Sequence, residues 1–272
     1  PSRLTYYLRK EGFDDETLLE AGLLTAPDDG RAPFDFFRNR VMFPIADHRD
    51  RVIAFGGRIL NSGEPKYLNS RDTPLFDKRR TLYNHSRAQK MIRDQNEIIV
   101  VEGYMDVIAL SRNGFPSSVA PLGTALTDEQ IQSLWKLTEE PVLCFDGDKA
   151  GQRAARRAAE RTLPLLKPGK SIRFAFLPEG QDPDSLLTKQ GPTALRTILN
   201  ATQPLAEFVW DIERQASPTD TPERMAGLKA RLRQQASRIA DSAVREQYRN
   251  LFDERTTPQQ RNPMRARSGH PP

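Results

Sequence analysis

Two short stretches decide the fold: Ile98-Ile99-Val100-Val101-Glu102-Gly103-Tyr104-Met105-Asp106 and Pro141-Val142-Leu143-Cys144-Phe145-Asp146-Gly147-Asp148. Each is a brief apolar run, rich in residues that suit a buried strand, closed by acidic and glycine residues. Between and beyond them the chain alternates. A helix is expected from Tyr104 to Asn113, stopped by Gly114, then a strand at Ser118 to Ala120. Thr127, with Gln130 three residues on, opens a capped helix through Leu137. A helix from Gly151 to Leu166 and a strand from Ile172 to Leu177 complete the series. Four strand–helix alternations at this spacing imply a parallel, helix-covered sheet over residues 96–184.

Working outward, the preceding segment changes character. Residues 1–37 read as short helices ending at the Asp28-Asp29-Gly30 turn. Val41 to Ile45 and Arg51 to Phe55, joined by Asp47-His48-Arg49-Asp50, read as an antiparallel hairpin. Arg58 to Leu60 extends that sheet, Tyr67-Leu68 forms a brief strand and Ser86 to Arg93 a helix. From Pro183 onward only helices are expected, at 192–200, 205–215, 222–238 and 241–254, and the Pro- and Arg-containing stretch 256–272 is expected to be a disordered tail. The expected division is thus a basic α+β subdomain (1–95) incomplete at its start, an α/β domain (96–184), a small helical bundle (185–255) and the tail.

Charge follows this division. The 272 residues carry a formal net charge of +5, yet residues 38–93 alone hold thirteen Lys/Arg against five acids, while 97–184 hold ten against thirteen. A basic stretch beside an acidic one fits a polyanion held by the first and cations held by the second. One cysteine, Cys144, excludes an internal disulfide and reads as core, as do Trp135, Trp210 and Phe145. Three scattered histidines, His48, His85 and His270, offer no zinc-ligand spacing. The absence of any long apolar run makes a cytoplasmic protein the expectation, and no internal repeat is visible.

In a parallel α/β sheet, ligands bind outside the carboxyl ends of the strands. There stand Glu102, the pair Asp146 and Asp148, and the pair Asp182 and Asp184. Asp-Gly-Asp and Asp-Pro-Asp both read as tight turns in which two carboxylates lean the same way. Five hard oxygen donors at three strand ends point to Mg²⁺, or Mn²⁺, and hence to phosphate chemistry. Asp106, four residues beyond Glu102, is either one helical turn below it or an ordinary acid at a helix start.

These motifs resemble the Toprim fold, which serves primases, topoisomerases, nucleases and recombination mediators. The segment before them is more specific: Arg38-Asn39-Arg40-Val41-Met42-Phe43-Pro44-Ile45, Phe55-Gly56-Gly57-Arg58, Pro65-Lys66-Tyr67-Leu68-Asn69-Ser70, Phe76-Asp77-Lys78 and Leu82-Tyr83 resemble the catalytic core of bacterial replicative DNA primase. The resemblance runs from near Pro1 to about Glu254. It implies a single-stranded DNA template, ribonucleoside triphosphates and a short RNA primer made by metal-dependent nucleotidyl transfer. On that resemblance Glu102, Asp146 and Asp148 hold the metals and carry catalysis, Asp182 and Asp184 extend the acidic site, and Asp106 supports it. Arg40, Arg58, Lys66, Tyr67, Asn69 and Lys78 match the family's basic ridge for template and nucleotide.

Asp77 stands where the family often has His, and Arg79 where Gly is common. The family's zinc-binding and helicase-binding domains have no counterpart in these residues, so no zinc, weak initiation-site selection and no stable recruitment of the replicative helicase are the expectations. The alternatives are another Toprim enzyme, such as a nuclease, or a non-catalytic nucleic-acid mediator. A topoisomerase would need a separate tyrosine-bearing gate domain, for which there is no room.

Overall fold

The computed structural model describes residues 3–95, 97–123 and 125–257, so the tail expected at 256–272 lies almost wholly outside the described residues. The N-terminal part begins with helices α1 (Arg3–Lys10) and α2 (Asp15–Glu20). Asp14 caps α2, its side chain accepting from the Thr17 amide. Strands β1 (Leu24–Thr25) and β2 (Phe34–Asp35) then form an antiparallel pair in a region where the sequence pointed only to helices. Two-residue strands carry no detectable alternation. Asp35 fixes them to α1 by accepting from the amides of Leu4 and Thr5.

The expected hairpin is present as β3 (Arg40–Ala46) and β4 (Val52–Ile59), extended by β5 (Tyr67–Asn69) into an antiparallel sheet of order β3-β4-β5. At its turn Asp47 accepts from the Arg49 and Arg51 amides and from the Arg51 guanidinium. The register sets Arg58 opposite both Val41 and Tyr67, and Gly56 opposite Asn69. Helix α3 (His85–Gln95) leads into the second sheet.

That sheet has five strands in the order β10-β9-β8-β6-β7, formed by β6 (Ile99–Val100), β7 (Ser118–Val119), β8 (Val142–Gly147), β9 (Arg173–Glu179) and β10 (Gln203–Pro204). The first four are mutually parallel; β10 adds antiparallel to the β9 edge, a short strand inside a region expected to be wholly helical. The helices are α4 (Tyr104–Arg112), α5 (Asp128–Leu134), α6 (Lys149–Thr162, continued by a 3-10 turn at Leu163–Leu165), α7 (Pro183–Asn200), α8 (Leu205–Gln215), α9 (Pro222–Ser237) and α10 (Ser242–Thr256).

Alternation along the strands sorts the core into two layers. Val100, Leu143, Phe145 and Phe174 point to one face, where α5, α6, α8, α9 and α10 pack. Ile99, Val101, Val142, Cys144, Ala175 and Leu177 point to the other, beneath α4 and α7. Cys144 is a core residue as read from the sequence; Trp135 and Phe145 are buried, while Trp210 is only half-buried, beside Arg255. Helix α7 begins at Pro183, nine residues before the expected start, and is kinked at Gly191. The Asp182-Pro183-Asp184 turn is therefore a helix start: Asp182 is the N-cap, accepting from the Ser185 amide, and proline occupies the first turn, where its missing N–H costs nothing.

The basic part is tied to the second sheet by buried polar contacts. Gln130 donates to the carbonyls of Lys78 and Thr81, and Thr127 Oγ1 donates to that of Arg79, while the two side chains complete the expected capping box at α5.

Candidate active site

The carboxyl ends of β6 and β8 carry the acids. Glu102 follows β6, and the Asp146 backbone amide donates to its carboxylate, so the two strand ends are tied together at the site. Asp146 sits at an irregularity in the β8–β9 ladder: Phe145 pairs with Phe176, but Gly147 pairs with Glu179. One residue of β8 thus faces two of β9, and the local bend re-aims the Asp146 side chain. Gly147 makes this possible, since a Cβ there would lie 1.9 Å from the Pro178 carbonyl oxygen. Gly151 allows the next step, because a Cβ there would lie 2.2 Å from the Asp146 carbonyl oxygen.

The two members of Asp146-Gly147-Asp148 have different tasks. Asp148 is the N-cap of α6, accepting at 2.7 Å from the Gly151 amide. Asp146 Oδ1 is buried and has no hydrogen-bond partner among the described residues. Burial, and then the neighbouring Glu102, Asp106, Asp182 and Asp148, push its pKa up to about 7. Asp106 lies in the first turn of α4, its carboxylate accepting from the Gly103 amide at 3.1 Å, and burial with the Asp182 charge pushes its pKa up to about 6. Both readings of Asp106 are therefore satisfied: it is a helix-start acid and a member of the cluster. Burial also raises Glu102, which keeps an exposed edge.

Such a cluster is costly without a cation, and an orphaned carboxylate oxygen is what a hard dication would satisfy. The acids nevertheless do not form a finished cage. Among the described residues, no three carboxylate, imidazole or thiol groups gather closely enough to make a ready ligand set. The reason is visible in the caps: Asp148 and Asp182 each commit one oxygen to a helix N-terminus. The tight turns expected at the two Asp-x-Asp pairs are instead helix starts: each pair straddles a strand or loop and the first residues of a helix.

The basic sheet meets these acids through Tyr104, the residue after Glu102-Gly103. Tyr104 is buried, and its ring lies 4.7 Å from that of Phe43, 5.4 Å from that of Tyr67 and 5.6 Å from that of Tyr83. Its hydroxyl has no partner among the described residues, and burial pushes its pKa up to about 12. Gly56 leaves the room: a Cβ there would meet Asn69 Oδ1 at 3.1 Å and the Tyr104 ring at 3.1 Å. Arg58 and Lys66 flank the exposed Tyr67 ring, with their charged ends 6.0 and 5.7 Å from its centre. Arg40 is held in place by donating to the Gly57 carbonyl. Four of the six basic-ridge residues named from the sequence, Arg40, Arg58, Tyr67 and Asn69, thus lie in the β3-β4-β5 sheet, and Lys66 immediately precedes β5. Lys78 stands apart in the loop fastened to α5. An aromatic at a helix start reads as core, so no spacing singles out Tyr104; only its neighbours reveal it as the joint between the two sheets.

Residues 1–89 match the family "DNA primase catalytic core, N-terminal domain", and residues 96–176 match the Toprim domain family, which implies a divalent-metal site. A solved DNA primase domain from Pseudomonas aeruginosa is 45% identical, superposes with a TM-score of 0.86, and is covered to 79% by 92% of this chain. The chain belongs to the DNA primase family. A DnaG primase catalytic domain solved bound to single-stranded DNA is 40% identical, with a TM-score of 0.81 over 91% of this chain and 80% of that one. The full-length DNA primase of Pseudomonas aeruginosa is 50% identical over 206 residues, which are 75% of this chain but 31% of that protein. The chain therefore spans about a third of the length of this curated primase. No helix among the described residues is long and apolar enough to cross a membrane.

Proposed function

We propose that this chain synthesises short RNA primers on single-stranded DNA from ribonucleoside triphosphates. The observation that carries this reading is the joint at Tyr104, which sets a basic, aromatic-lined sheet directly beside an acidic cluster at the carboxyl ends of a parallel sheet. A nuclease needs the acids, but a primase also needs a ridge that holds template and triphosphate together.

In this reading Glu102, Asp146 and Asp148 hold Mg²⁺ or Mn²⁺, with Asp182 and Asp184 extending the site and Asp106 supporting it. The bound ion supplies charge stabilisation for the entering and leaving oxygens of the transfer. The protein's own contributions are separate. Arg40, Arg58 and Lys66 hold phosphate oxygens, Tyr67 offers a ring face to a base, and Asn69 reaches a sugar or base edge. Lys78, in its fastened loop, adds a further cation. Asp146, with a pKa near 7, is poised to accept a proton when no ion occupies its free oxygen, so acidification competes with metal loading.

The test is incubation of the chain with single-stranded DNA, labelled ribonucleotides and Mg²⁺, beside Asp146→Ala. New RNA made by the parent and not by the variant supports the reading. Template shortened without RNA synthesis would instead favour a nuclease.

A further inference from the structure

Half of the ten basic residues between 97 and 184 lie on one helix, α6: Lys149, Arg153, Arg156, Arg157 and Arg161. Averaging charge over the whole segment hides them. At 100° per residue, Lys149, Arg153, Arg156 and Arg157 fall within about 100° of one another, and at ~1.5 Å per residue they span about 12 Å. All four are exposed, and none makes an ion pair or side-chain hydrogen bond among the described residues, whereas Arg161 approaches Asp128 at 3.7 Å.

The row starts at the acidic site. Lys149 follows Asp148, and Lys149, Gln152 and Arg153 line an open groove of about 580 Å³ with Asp148, Gly147, Leu177 and Glu179. Further along, Arg157 borders a second cavity with Glu102. The acids that share this surface are Asp148 and Glu179 in the groove, Glu102 beside Arg157, and Glu160, which closes the row at its far end. Gly151 brings the helix backbone close against Asp146 at the strand end.

We propose that this face of α6 binds the phosphate backbone of the duplex between template and newly made strand as it leaves the acidic strand ends. The inference rests on the primer-synthesis reading. Phosphates along one strand of a duplex recur at a fixed, short interval, so a row of cations about 12 Å long can meet more than one of them. A row of cations fixed on a rigid helix rewards a partner whose phosphates are also fixed, which a duplex provides and a flexible single strand does not. The basic sheet is left to the template and incoming nucleotide.

The test is the double variant Arg153→Gln, Arg156→Gln, which keeps helix propensity and leaves the acids untouched. Binding of a preformed RNA–DNA hybrid of about ten base pairs, and of the template strand alone, is followed by fluorescence anisotropy between about 50 and 200 mM salt. The expected result is roughly tenfold weaker binding of the hybrid, a salt slope shallower by about 1.8, and less than about a twofold change for the template. Equal weakening on the template alone would overturn the assignment to the duplex, and no change on either would overturn the surface. Because the hybrid is preformed, this result is independent of whether the chain makes RNA.

Discussion

Asp146→Asn in metal-free protein isolates the cost of the acidic site. In the folded chain Asp146 is pushed from 3.8 up to about 7, first by burial and then by four neighbouring carboxylates. The sign is that of an acid whose pKa rises on folding: the folded state holds the proton more tightly, so stability is lost as pH climbs from about 4 to 7 and the full penalty applies above 7. Three units at ~1.36 kcal/mol each give a ceiling of about 4 kcal/mol, and solvent reaching this half-buried group reduces that to about 1–2 kcal/mol. Asparagine removes the charge at nearly constant volume and also relieves Glu102 and Asp106. In a chelating buffer at pH 8, the variant should therefore melt about 2–8 °C above the parent. At pH 5 the gain should shrink to roughly a third, because the parent is then largely protonated in the fold. Added Mg²⁺ should raise the parent and leave the variant nearly unmoved. Differential scanning calorimetry at the two pH values reads all of this. A gain of equal size at both, or a variant less stable than the parent at pH 8, would refute the electrostatic reasoning.

Other consequences follow from the same geometry. Gly147→Ala, whose Cβ would sit 1.9 Å from a backbone oxygen, should cost about 3 kcal/mol or more in chemical denaturation and reduce RNA synthesis well beyond the loss of folded protein. Gln130→Leu leaves the Lys78 and Thr81 carbonyls without their donor and removes half of the α5 capping box, an expected loss of about 2–4 kcal/mol in urea denaturation. Arg58→Gln should weaken single-stranded DNA binding by about three- to tenfold and flatten its salt dependence by about 0.7, without moving the thermal midpoint by more than about 2 °C.

The parallel sheet was legible because Ile98 to Val101 and Pro141 to Phe145 are short apolar runs closed by acids and glycine, a pattern that marks both a buried strand and its functional end. The hairpin was legible from its Asp-rich turn. What escaped had a local or a tertiary cause. Strands β1, β2 and β10 are two residues long, too short for any periodicity. The start of α7 was misread because Asp182-Pro183-Asp184 satisfies a turn and a proline-started helix equally, and only the Ser185 amide donating to Asp182 decides between them. The acids were located correctly along the chain, but their division into caps and a single orphaned oxygen depends on the β8–β9 irregularity, which no spacing encodes. Tyr104 and the cationic row on α6 were missed for opposite reasons: one looked like ordinary core, and the other vanished into an acidic average.

The central claim is that the ends of β6 and β8 and the start of α7 converge on one divalent-metal site. Replacing Mg²⁺ with Fe²⁺ under ascorbate and peroxide, which cuts the backbone where the ion is bound, tests it most directly. The account predicts cleavage near Glu102, Asp146 and Asp182, suppressed by excess Mg²⁺ and lost in Asp146→Ala. Cleavage confined to other parts of the chain, or unchanged in the variant, would contradict it.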